Sequence, residues 1–253
     1  MNVFITGASI GIGMALAQAF AARGARLGLL ARRRELLEEL RASLPQATQH
    51  CLYAVDVCDH AALAAAAADF QQQCGRVDVV IANAGISHGS LTEDAADLPV
   101  FRQIMDTNYL ATVATFSPFI QNMRHQGGLA RLVAISSVAG IRGLPGAAAY
   151  CASKAAVTNY CEALRLELRS SGIQVVTLAP GFIATPLTAK NHFKMPFLMP
   201  ANRFAEQAVS VILRGERYRI LPWQMALVGK LLYLLPNGLY DRIMTRTPRK
   251  GRD

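Results

Sequence analysis

The stretch Val3-Phe4-Ile5-Thr6-Gly7-Ala8-Ser9-Ile10-Gly11-Ile12-Gly13 decides the fold. Val3 to Thr6 is a short apolar run that reads as a strand. Ile12 to Arg23 reads as a helix, with Gly24 as its stop. Between them, glycines at 7, 11 and 13 permit a tight turn and let a ligand approach the backbone. The helix that follows aims free N–H groups and its positive end at this turn, which suits a pyrophosphate. A glycine-rich turn with no ligand is the competing reading. The placement between a strand and a helix favours a dinucleotide.

Outward from this turn, strand-like and helix-like segments alternate. Strands are expected at Arg26–Leu30, Cys51–Val55, Val77–Ile81, Arg131–Ile135 and Gln174–Leu178, with a last one within Arg217–Pro222. Helices are expected at Arg33–Ser43, ended before Pro45, at Ala61–Cys74, around Leu98–His125, and at Ala147–Ser170. This order with short connections predicts an α/β protein with a doubly wound parallel sheet, a Rossmann fold. The chain of 253 residues suits a single domain over 1–253. A composition of 52% hydrophobic and 17% charged residues is that of a packed globule.

The five cysteines are odd in number and form no CxxC pair, so neither a disulfide framework nor a metal site is expected. A reducing compartment fits, and the first residues are too soon interrupted for a signal peptide; a cytoplasmic location is expected. The net charge of +9 is open to four readings: an anionic cofactor, nucleic acid, an anionic membrane, or solubility. Aromatic residues are not interleaved with the basic ones, so no nucleic acid is expected.

The motif Thr6-Gly7-x-x-x-Gly11-x-Gly13 resembles the cofactor motif of the short-chain dehydrogenase/reductase family, and the resemblance continues to about residue 190. It implies that Thr6, Gly7, Ser9, Ile10, Gly11, Ile12 and Gly13 form the cofactor turn. Asp56-Val57 resembles the family's adenine-contacting pair. Asn83-Ala84-Gly85 resembles the motif that supports the sheet and lines the cofactor site; Ala82 stands where the family often has a second Asn. NAD binders place an acid at the end of the second strand, whereas NADP binders offer Arg to the 2′-phosphate. Here Ala31 occupies that position and Arg32 follows it, so NADP is the expected cofactor. Arg33 is a second candidate contact, and Arg34 is expected to face water.

Tyr150 and Lys154 are four apart, hence on one face of a helix. A free phenol has a pKa of about 10, and a neighbouring ammonium is expected to lower it, making Tyr150 a general acid or base. Ser137, in Ser136-Ser137-Val138-Ala139-Gly140, resembles the family's catalytic serine, with Ser136 the less favoured choice. The resemblance implies that Ser137 holds the substrate oxygen, that Asn108 holds a water linking Lys154 to solvent, and that Lys154 also bonds the nicotinamide ribose. Pro180-Gly181-Phe182-Ile183-Ala184-Thr185 resembles the family's PGxxxT element, which implies that Ile183 and Thr185 meet the carboxamide. A plain strand-ending turn would also use Pro-Gly.

Past Pro186 the resemblance loosens. Residues 186–215 fall where the family has its substrate region; Leu187, His192, Phe193, Met195, Phe197, Leu198 and Met199 suit an apolar substrate, core packing or a subunit contact. His192 is expected to be an ordinary loop residue. Residues 223–253 form an apolar and then basic extension, with Trp223, Tyr233, Lys230, Arg242, Arg246, Arg249, Lys250 and Arg252. Peripheral membrane contact, a cover over the active site and a subunit contact are all open for it.

The resulting expectation is an NADP-dependent oxidoreductase that interconverts a carbonyl and a secondary alcohol on a small hydrophobic molecule, working as a homodimer or homotetramer. The alternative is a non-catalytic NADP-binding sensor or scaffold on the same fold.

Overall fold

The computed structural model describes residues 1–189, 191, 193–245 and 251. The expectations placed on His192, Arg246, Arg249, Lys250 and Arg252 therefore lie outside the described residues.

Six long strands appear in chain order: β1 (Asn2–Thr6), β2 (Arg26–Ala31), β3 (Cys51–Ala54), β4 (Val79–Ala82), β5 (Ala130–Ile135) and β6 (Ile173–Pro180). Two short strands, β7 (Ile183–Ala184) and β8 (Met199–Pro200), precede β9 (Tyr218–Leu221). The central sheet has seven parallel strands in the order β3-β2-β1-β4-β5-β6-β9. The order reverses between β1 and β4, and this leaves a crevice at their carboxyl ends, where such sheets bind ligands.

Side chains of one strand alternate between the two faces, so the sheet serves two cores. Val3 and Ile5 point to the layer of α1 (Gly11–Ala21), α2 (Arg34–Ser43) and α8 (Ala201–Arg214). Phe4 points to the layer of α3 (His60–Cys74), α5 (Ala111–His125) and α6 (Ala148–Glu167). There its ring meets Phe70 at 5.5 Å and Phe119 at 5.1 Å. Gly28 on β2 makes room for these rings: a Cβ there would lie 2.6 Å from Phe4.

The helical region Leu98–His125 is nearly continuous: α4 (Leu98–Met105), one π-helical turn (Asp106–Leu110), then α5. Strand β6 runs through Pro180, two residues past the expected end, because Pro180 pairs in register with Leu221 and Gly181 N–H donates to Leu221 at 2.8 Å. Residues 186–215 hold α7 (Pro186–Ala189), β8 and α8, whose buried Phe204, Ala208 and Ile212 belong to the core around α1. The chain continues through α9 (Trp223–Leu234) and α10 (Asn237–Met244). Among the described residues, no helix is long and apolar enough to cross a membrane.

Candidate active site

Helix α1 opens at Gly11 behind an extended Ile10, and no side chain caps it. Its first N–H groups are thus left to whatever enters the crevice. Gly7 has φ +64°, and a Cβ there would sit 2.8 Å from the Cα of Ala84. A Cβ on Gly13 would lie 2.1 Å from the carbonyl oxygen of Gly7, so this turn closes only on a bare backbone. The Asn83 amide donates to the carbonyls of Thr6 (3.0 Å) and Gly7 (3.1 Å). In return the Thr6 hydroxyl accepts from Asn83 N–H at 3.1 Å and Ala84 N–H at 3.3 Å. Thr6 and Gly13 therefore shape the turn from behind and do not face the crevice, whereas Gly7, Ser9, Ile10, Gly11 and Ile12 line it.

The crevice has a volume of about 950 Å³. Arg32, Arg33, Asp56 and Val57 line one end, and Asn83, Ala84 and Gly85 its floor. Pro180, Gly181, Ile183 and Thr185 lie along the wall, with Thr185 Cγ2 only 3.3 Å from where a Gly11 Cβ would be. Arg32 stands 3.8 Å from Asp56, a loose and exposed pairing that leaves its guanidinium able to take another anion. Arg34 is occupied by Glu38 at 2.8 Å.

Ser137, Tyr150 and Lys154 share the remaining wall. The two serines are told apart by their partners. Ser136 Oγ donates to the Lys154 carbonyl at 2.9 Å and pairs with Thr158 at 2.8 Å, pinning α6 to β5. Ser137 opens the short turn Val138–Gly140, accepts from Ala139 N–H at 3.1 Å, and hydrogen-bonds the Tyr150 hydroxyl. Lys154 Nζ donates to Ile135 O at 2.8 Å and lies 5.8 Å from the centre of the Tyr150 ring.

The electrostatics differ from the sequence-based expectation. Burial pushes the Tyr150 phenol up from its ordinary value, and the hydrogen bond from Ser137 opposes that rise. Burial also draws the Lys154 ammonium down to about 8. Removing both groups from water favours their neutral forms, so desolvation outweighs the attraction that was expected to acidify the phenol.

Asn108 is fully buried and does not face the crevice. Its Oδ1 accepts from Ile86 N–H at 2.8 Å, while Nδ2 donates to Ile86 O at 3.0 Å and Ser153 Oγ at 2.9 Å. Ser153 Oγ in turn donates to the Tyr150 carbonyl at 2.8 Å. Both polar atoms of the Asn108 side chain are thus bonded to protein partners. The π-helical turn aims it inward, as such turns often do at functional sites. Gly85 admits this arrangement, since its Cβ would lie 3.1 Å from Asn108 Oδ1 and 3.5 Å from Lys154 Nζ.

The sequence missed the role of Ser153, although an inward polar residue on a buried helix is a readable signal. It also missed His88, Leu98, Pro99, Arg102 and Gln103, which line the crevice from α4 and the segment before it; no motif marks them. Of the apolar residues past Pro186 for which substrate, core and subunit contacts were open, Leu187 lines the crevice. Met199 is buried beside Ile183, and Phe193 packs on Phe182 at 6.1 Å. Among the described residues, no group of three or more His, Cys, Asp or Glu could hold a metal ion.

A short chain dehydrogenase family model matches residues 1–195. An oxidoreductase of Myxococcus xanthus, itself named uncharacterized, is 39% identical over 251 residues, covering 97% of this chain and 96% of that one. Dehydrogenase/reductase SDR family member 7B of Bos taurus is 35% identical over 271 residues, covering 99% of this chain and 82% of the relative. Among solved structures, levodione reductase superposes with a TM-score of 0.79 at 26% identity, over 89% of this chain and 97% of that one.

Proposed function

The chain belongs to the short-chain dehydrogenase/reductase family, and from that premise we propose that it is an NADP(H)-dependent oxidoreductase interconverting a carbonyl and a secondary alcohol on an apolar small molecule. One observation carries the reading: Ser137, Tyr150 and Lys154 open onto the same crevice as the glycine turn and Arg32.

The residues present fit the cofactor. The turn at Gly7–Gly13 closes only because its glycines carry no Cβ, and it lies beneath an uncapped helix N-terminus suited to a pyrophosphate. No carboxylate stands at Ala31, and Arg32 and Arg33 are exposed at that end, which suits a 2′-phosphate. Asp56 and Val57 would meet the adenine, and Ile183 and Thr185 the carboxamide. When bound, the nicotinamide supplies or accepts the hydride.

The chain's own groups manage the oxygen and its proton. Ser137 Oγ holds the substrate oxygen beside Tyr150, and the phenol donates its proton as a carbonyl becomes an alcohol. Burial keeps that phenol protonated near neutral pH, the state a proton donor needs. Lys154, fixed against Ile135 O, places an ammonium at the crevice wall, where it would hold the ribose hydroxyls of the cofactor. Asn108, held by the Ile86 backbone, positions Tyr150 through Ser153. Ile86, Leu98, Pro99 and Leu187 in the crevice wall support an apolar substrate.

Outward-facing Leu110 and Leu166 on the long helices favour a homodimer or homotetramer paired there. The five free cysteines favour a cytoplasmic, reducing setting.

The deciding experiment is a screen of carbonyl compounds that follows loss of NADPH absorbance, with Tyr150→Phe alongside. Turnover by the natural chain and none by the variant is the expected result. Tight NADPH binding with no turnover across the screen would leave the sensor or scaffold reading standing.

A further inference from the structure

Helix α9 is apolar on both of its sides. One side is used: Met225 packs where a Gly181 Cβ would lie 2.6 Å from its Cγ, and Gly229 admits Ile141, whose Cδ1 would be 2.5 Å from an added Cβ. The opposite side carries Trp223, Leu227, Leu231 and Leu234, spaced by four, four and three residues and therefore forming one stripe. All four are more than 60% exposed, and Leu239 and Ile243 continue the exposure on α10. A stripe of this size on open helix surface marks a contact.

We propose that this stripe docks the protein on an anionic lipid membrane. Charge chooses the occupant. Residues 223–253 contain six basic side chains (Lys230, Arg242, Arg246, Arg249, Lys250, Arg252) and two acidic ones (Asp241, Asp253). Lys230 adjoins the stripe, three residues after Leu227 and four before Leu234. A second copy seated on the stripe by two-fold symmetry would set Lys230 against its own mate, whereas an anionic headgroup layer complements it and the basic composition of 223–253. Trp223 and Tyr233 are side chains that favour the headgroup level. At twelve residues α9 is too short to span a bilayer and suits lying in its surface.

The mounting is rigid. Arg142 donates to the carbonyls of Leu232 and Leu235, both at 2.7 Å, and to Asn237 Oδ1 at 2.6 Å. Its guanidinium stacks 4.0 Å over the Tyr240 ring, and Tyr240 hydrogen-bonds the carbonyl of Gly143. The α9–α10 segment is thus fastened to the loop between Ser137 and Tyr150. Docking would bring that loop to the lipid surface, from which an apolar substrate is taken; only this last step rests on the reductase reading.

Trp223 is the sole tryptophan of the chain, so its emission reports the contact directly. The full chain is mixed with phosphatidylcholine vesicles with and without phosphatidylglycerol. On the anionic vesicles alone, a blue shift, quenching by brominated acyl chains and co-sedimentation are expected. The double variant Leu227→Glu/Leu231→Glu is expected to lower the bound fraction at least tenfold while turning over a water-soluble carbonyl at the natural rate. Unchanged emission with anionic vesicles overturns the proposal. So does a dimer that the double variant dissolves while vesicles recruit neither form. Vesicle binding without any turnover would sink the reductase reading and leave the docking surface intact.

Discussion

Asn108 donates to Ser153 at 2.9 Å, and Ser153 passes the connection to the Tyr150 carbonyl at 2.8 Å. Two side chains, one on the π-helical turn and one on α6, thus hold the reactive helix in place with no exposure to water at either residue. Replacing Asn108 by Leu would leave Ile86 N–H and Ile86 O without this partner and take from the Ser153 hydroxyl the hydrogen bond it accepts. At about 1–3 kcal/mol for each buried unpaired group, a loss of several kcal/mol is expected, read as a lower denaturant midpoint. Ser153→Ala, which removes only the bridge, should cost roughly 1 kcal/mol. Equal midpoints for all three proteins would contradict the strut.

Tyr150→Phe removes the hydroxyl and leaves the ring. Turnover should fall by roughly 10²–10⁴-fold, the usual worth of a positioned general acid. NADPH affinity, measured by fluorescence titration, should stay within a few-fold, because the glycine turn and Arg32 are untouched. A variant that still turns over at the natural rate would exclude the proposed proton transfer.

Arg32→Ala should weaken NADPH binding by about 10–100-fold, the scale of one charge-assisted contact, and leave NADH unaffected. Ala31→Asp should push the preference towards NADH by repelling the 2′-phosphate. Titration of both cofactors against both variants is the check; unchanged ratios would remove Arg32 from the phosphate site.

The buried Lys154 also predicts a pH effect on stability. Its value falls from 10.5 in the free side chain to about 8 in the fold. Below pH 8 both forms of the chain are protonated and the cost of burying the ammonium is fully present. Between 8 and 10.5 the unfolded chain holds the extra proton, so this group's contribution to stability improves as pH rises. Lys154→Met lacks this dependence. Relative to that variant, the natural chain should gain up to about 3 kcal/mol across this window, at ~1.4 kcal/mol per pH unit. Parallel urea titrations at pH 7 and pH 10 give the difference; an identical gap at both would show that Lys154 is not buried as a cation.

The fold was legible because its signals are local. The glycines at 7, 11 and 13, the continuous apolar strands and the Tyr-Lys spacing each follow from one neighbourhood of the chain; Ser137, singled out by its resemblance to the family's serine, lines the same crevice as Tyr150 and Lys154. What escaped depends on contacts distant in sequence. That Asn108 would be satisfied by Ile86 and Ser153 required the π-helical turn to aim it inward. Core packing was one of the readings open for Met199, and the choice between them required its pairing with Ile183. The sign of the Tyr150 shift depended on burial, which a motif does not record.

The pairing of Ile183 with Met199 and of Ala184 with Pro200 pins both ends of residues 185–198 to the body of the protein. Just past the first pin, Pro186, Leu187 and Thr188 line the crevice. Grafting the corresponding segment from another member of the family would alter which molecules are admitted while the sheet, the glycine turn and the proton donor stay as they are.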